Sequence, residues 1–140
     1  MRQVLIALIA MVTITAAQAE DGLSGSDSSA IQAVIQDQLD AFNADDGNRA
    51  FSHASPSIQG IFQSPEVFMT MVQQAYLPVY RSAQAEFGEL VTLDGQPVQE
   101  VYVTGQNGQS SLAVYTMERQ EDGSWRIDGC TLLALPDLNA

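Results

Sequence analysis

The side chains able to do chemistry are few, and two of them are single copies. Cys130 is the one cysteine and His53 the one histidine in 140 residues. A nucleophilic or redox cysteine needs a base or a positive charge nearby, because the thiolate is the reactive form. Arg126 and Asp128 share a strand with Cys130, and strict alternation puts all three on one face. The plainer role for Cys130, a small hydrophobe on a core strand, is favoured. His53 has the right ordinary pKa for a general base. Its place at the end of a short helix, just before Ser55-Pro56, favours a capping or surface role instead. A transition-metal site would need a second imidazole or thiol, and the sequence holds neither.

Arg126 and Asp128 stand two residues apart on a strand. Inside an apolar cavity such a pair would orient a ligand or shift a pKa. On the outer face of a sheet it would be a weak, solvated pair. Tyr76, Tyr80, Tyr102 and Tyr115 carry apolar rings with hydroxyl handles. Tyr76, Tyr115, His53, Arg126 and Asp128 are therefore the candidate ligand-pocket residues. No catalytic set, metal set or cofactor is assigned. Asp45-Asp46-Gly47-Asn48 lacks the alternating ligands and terminal acid of a calcium loop, so it reads as a helix cap. Gly105-Gln106-Asn107-Gly108 reads as a hairpin turn, not a phosphate cradle.

Charge narrows the partners. Seventeen acidic residues face five basic ones, all arginine, for a net charge of −12. Nucleic acid and anionic membrane surfaces are disfavoured. The N-terminus reads as an export signal: Arg2, an apolar run from Val4 to Ala16, then Ala17-Gln18-Ala19 as a cleavage site. Cleavage after Ala19 predicts a periplasmic or secreted protein with no stable membrane anchor. Residues 20–28 read as a flexible leader, and residues 29–140 as a single domain.

The elements that must position these side chains come in two blocks. Ser29-Ala30-Ile31-Gln32 reads as a capping box. Ile31, Val34, Ile35, Leu39 and Phe42 then repeat at helical spacing, predicting an amphipathic helix to Ala44. Asp45 or Asp46 caps a second helix with Ala50, Phe51 and Ala54 inward, stopped by Pro56. Residues 57–62 read as a turn or short helix. Ser64-Pro65-Glu66 starts a third helix, with Val67, Phe68, Met71, Val72 and Ala75 as its stripe and Pro78 as its end. After Pro78 the period becomes alternating. Strands are predicted over 83–93, 98–104, 110–119 and 125–133, with a bulge at Gly88. Asp94-Gly95, Asn107-Gly108 and Asp122-Gly123 supply the turns. Trp125 and Ile127 are expected opposite Arg126, Asp128 and Cys130. The fold class is α+β: N-terminal helices packed on a curved four-stranded antiparallel sheet.

The closing run Asp122-Gly123-Ser124-Trp125-Arg126-Ile127 resembles the last-strand pattern of the nuclear-transport-factor-2-like superfamily. There, helices close one end of a cone made by a bent sheet. A larger set is similar to the bacterial domain-of-unknown-function family 4864. It comprises Val34-Ile35-x-x-Gln38, Ala50-Phe51, Ala54-Ser55-Pro56, Phe68-Met69-x-Met71-Val72, Tyr76-x-Pro78-Val79-Tyr80 and Trp125-Arg126-Ile127-Asp128-Gly129-Cys130. The resemblance implies a cone fold and brings neither an activity nor catalytic residues. Three functions are expected from fold and residues together. The first is a non-catalytic module binding a small apolar ligand or a protein partner. The second is an acid–base enzyme using Asp128, His53 or a tyrosine in the cone pocket. The third is a structural homodimer with Tyr102 and Tyr115 at its interface.

Overall fold

The computed structural model describes residues 23–135. The export signal and its cleavage site lie outside the described residues. Among the described residues, five helices precede four strands. The helices are α1 (Gly25–Asn43), α2 (Gly47–Ser52), α3 (Pro56–Phe62), α4 (Pro65–Ala75) and α5 (Leu77–Tyr80). The strands are β1 (Ser82–Leu93), β2 (Gln96–Gly105), β3 (Ser110–Arg119) and β4 (Trp125–Ala134). They form one antiparallel sheet in the order β1-β2-β3-β4, curved and unclosed, with the helices on one face. No helix among the described residues is long and apolar enough to cross a membrane.

Helix α1 starts five residues earlier than its sequence pattern suggests. The capping box is built by Ser24 and Asp27, not by Ser29 and Gln32, so residues 25–28 are helical. Serine, aspartate and glycine read as a leader, but the same residues satisfy the free amides of a first helical turn. The Ser29 hydroxyl instead donates back to the Gly25 carbonyl. The expected stripe is buried: Ile31, Ile35, Leu39 and Phe42 are at most 1% exposed. Asp46 caps α2, Ser55 caps α3 and Ser64 caps α4. Pro78 does not simply end α4. That helix stops at Ala75, and Pro78 sits in the first turn of α5, where its missing N–H costs nothing.

The sheet follows its predicted strands and turns closely. Gly95, Gly108 and Gly123 each take φ between 80° and 86°, the left-handed region that favours glycine at a turn. A bulge falls at Gly88–Glu89, where a Cβ on Gly88 would lie 3.0 Å from the Tyr102 ring. Buried Gln99 fills in beneath it. Its Nε2 donates to the Gly88, Glu89 and Glu100 carbonyls at 3.1, 3.3 and 2.8 Å.

A second bulge was not predicted. Met117 pairs with Ile127 and Thr116 with Gly129, so Asp128 is an extra residue in β4. It reverses the alternation that follows. Cys130 pairs with buried Tyr115 and packs against the core with Trp125 and Ile127, rather than on the face of Arg126. The core between sheet and helices is rich in rings. Phe68 contacts Phe42, Phe51 and Phe62 at centroid distances of 6.0, 5.3 and 5.7 Å. Tilted and edge-on pairs of this kind add about 0.5–1.5 kcal/mol each beyond their burial.

Candidate functional site

Helices α1, α3, α4 and α5 do not fill the space over β3 and β4. A pocket of about 240 Å³, partly open to solvent, remains there. Its walls are mainly apolar: Phe42, Ile58, Phe62, Phe68, Met71 and Val72 from the helices, with Ile127 from β4. Tyr76, Tyr115, Cys130 and Gln38 add the side-chain polar atoms. The local sequence explains the gap. The stretch from Ser55 to Pro65 spends its residues on two caps, two prolines and a left-handed Gln63 around the short helix α3, so no long side-chain ridge lies across the sheet here.

The segment before α3 is fixed to the sheet by backbone. Ser55 N–H donates to the Ile127 carbonyl and Ile127 N–H to the His53 carbonyl, both at 2.8 Å, as an isolated parallel bridge. The fully buried Ser55 hydroxyl donates to Asp128 Oδ1 at 2.7 Å and accepts from Ile58 N–H at 3.3 Å. Gln96 Nε2 reaches Asp128 Oδ2 at 3.3 Å. The Asp128 bulge is thus where the helical layer is tied to the last strand.

Of the five candidate pocket residues, the structure brings Tyr76 and Tyr115 to the pocket. Cys130, favoured from sequence as core filler, is there too and is half-buried. The Tyr76 hydroxyl donates to the Cys130 carbonyl at 2.9 Å. Tyr115 is 1% exposed, and its hydroxyl has no hydrogen-bond partner. The Cys130 thiol is its cross-strand neighbour, near enough for each to alter the other's titration, but the two do not meet hydrogen-bond geometry. Gln99, on the other side of Tyr115 in the same row, leaves Oε1 unpartnered. Burial raises Tyr115 well above the ordinary tyrosine value, and the neighbouring thiol adds to the rise. Burial likewise pushes the Cys130 thiol up to about 12, against a smaller opposing effect of the Tyr115 hydroxyl. Both groups are neutral at physiological pH.

The other three candidates lie elsewhere. His53 pairs with Asp37 (Nε2 to Oδ2, 2.6 Å), and the Arg49 guanidinium holds the same carboxylate. Bonds from Arg49 first, then His53, keep the Asp37 carboxyl far below the ordinary carboxylate range. Arg126 stands across from Glu118 on the face away from the helices. Asp128 is committed to Ser55 and Gln96. Of the two readings of Arg126 and Asp128, the cavity pair is not formed at this pocket: Arg126 points outward by alternation with buried Trp125 and Ile127, and Asp128 is the bulge residue held by Ser55 and Gln96. Tyr102 and Tyr115 likewise point to opposite sides of the sheet, the first 41% exposed and the second buried, so they do not form one interface. Among the described residues, no three His, Cys, Asp or Glu side chains are grouped to hold a metal.

Sequence reading missed Gln38, Ile58 and Phe62 as pocket residues. Gln38 carried the clearest signal, a polar side chain within the apolar stripe of α1; its Nε2 donates to the Ala50 carbonyl at 3.1 Å.

Fold and site together define a small α+β domain with an apolar pocket between its helices and sheet. Over residues 24–140 the chain matches the family model described as Domain of unknown function (DUF4864), and it belongs to that family. No curated protein matches it.

Proposed function

We propose that this domain is a non-catalytic binding module that holds a small, largely apolar molecule between its helices and sheet. The observation that carries this reading is the 240 Å³ pocket with mainly apolar walls. An apolar cavity of roughly 150 Å³ takes a benzene-sized guest, so this volume suits one ring with a short substituent. The resemblance of residues 122–127 to the nuclear-transport-factor-2-like last strand supports the same reading, since in that fold a bent sheet closed by helices shelters such a space. The acid–base alternative would need proton carriers converging on the pocket. His53 and Asp128 are tied to Asp37 and Ser55 instead. The N-terminal pattern through Ala19 supports export, and a mature mass beginning at Glu20 would establish it.

Binding is tested by thermal melts and two-dimensional NMR with indole or toluene. The expected result is a saturable rise in melting temperature, with shifts at Phe62, Met71 and Cys130. Met71→Trp, which fills the half-buried mouth, should abolish it. No saturable response in the wild-type protein at millimolar probe would overturn the reading.

A further inference from the structure

Every other tyrosine hydroxyl near the helical layer is in use. Tyr76 donates to the Cys130 carbonyl, and Tyr80 donates to Asp45. Among the tyrosines, Tyr115 alone is both nearly fully buried and without a partner, and it lines the apolar pocket. A buried donor left unpaired is costly, so native proteins seldom keep one without a use. We propose that the Tyr115 hydroxyl is the polar subsite of the pocket, donating to a neutral hydrogen-bond acceptor on an otherwise apolar ligand. The inference rests on the binding reading above and adds the chemical class of the guest.

An acceptor is favoured because the phenol stays protonated and a phenol is a strong donor. Neutrality follows from the walls. No arginine lines the pocket, lysine is absent from the chain, and the net charge is −12, so nothing there would compensate a buried carboxylate. The neighbouring Cys130 thiol is too weak a partner to compete with a ligand oxygen.

Three probes of similar shape separate the possibilities: acetophenone, cumene and benzoate, titrated by NMR into wild type and Tyr115→Phe. Acetophenone should weaken about tenfold in Tyr115→Phe, while cumene is unchanged or tightens. Benzoate should not bind. Equal responses of acetophenone and cumene to the substitution would overturn the polar subsite and leave the pocket intact. Tightest binding of benzoate would overturn neutrality. Failure of all three in wild type would overturn the binding reading itself. A readout on wild type covers the case in which Tyr115→Phe does not fold. The carbonyl stretch of bound acetophenone should lie below its value in an apolar solvent, and an unshifted band would refute the hydrogen bond.

Discussion

Burial keeps the Cys130 thiol protonated, and that has a direct chemical consequence. With its pKa pushed up to about 12, almost no thiolate exists at pH 8. Thiol reagents attack the thiolate, so native Cys130 should label at least about a hundredfold more slowly than in denaturant, as a disulfide-exchange reagent read by absorbance would show. Native and denatured rates of similar size would mean that the thiol is not held in the pocket wall. Asp37 illustrates the opposite effect. Arg49 and His53 depress its pKa below the ordinary value of 3.8. A depressed carboxylate contributes stability above its unfolded value, and that contribution is lost as pH falls toward the folded one. The loss is therefore expected below about pH 4. The carboxylate is more than a third exposed, so the effect is modest. Asp37→Asn should lower the melting temperature at pH 6 and flatten its decline between pH 5 and pH 3. A decline as steep as wild type would show that Asp37 does not contribute to it.

Strand β4 and helix α3 are joined through Ser55, which acts twice. It caps α3 and hydrogen-bonds the Asp128 carboxylate in the bulge. Losing a cap costs about 0.5–2 kcal/mol. Stranding a partly buried charged acceptor costs about 1.5–3 kcal/mol. Ser55→Ala should thus destabilise the domain by roughly 2–5 kcal/mol in urea unfolding, and Asp128→Asn by less, because the cap survives. In a double-mutant cycle the two should be non-additive, and strict additivity would refute the coupling. The bulge behind this contact was partly legible. Trp125, Ile127 and Cys130 are core residues, yet Ile127 and Cys130 are three apart, a spacing that period-two alternation forbids. Gly88 marked its bulge because glycine in a strand is itself a signal, whereas Asp128 reads as an ordinary outward residue. Pro78 misled for a related reason: proline stops one helix and begins another equally well, and four-residue α5 has no side-chain cap to announce it.

At the scale of the whole molecule, the architecture was readable because it depends on summed patterns: a helical period up to Pro78 and an alternating one after it. Of the pocket, only the cone resemblance and two lining tyrosines were readable; its full set of walls was not, because an unfilled volume depends on side chains from several helices and two strands that no local pattern relates. That volume yields a test whose sign is decisive. Val72 is 4% exposed and lines the pocket from α4. If the space persists in solution, Val72→Leu adds a methylene to room already present and should stabilise the fold by about 0.8 kcal/mol. It should also weaken binding of the toluene probe. If the helices instead close over the sheet, the same methylene overpacks the core and should destabilise by about 1–3 kcal/mol. Chemical denaturation of the two proteins distinguishes the outcomes, and a destabilised Val72→Leu would mean that the space on which the binding proposals rest does not persist in solution.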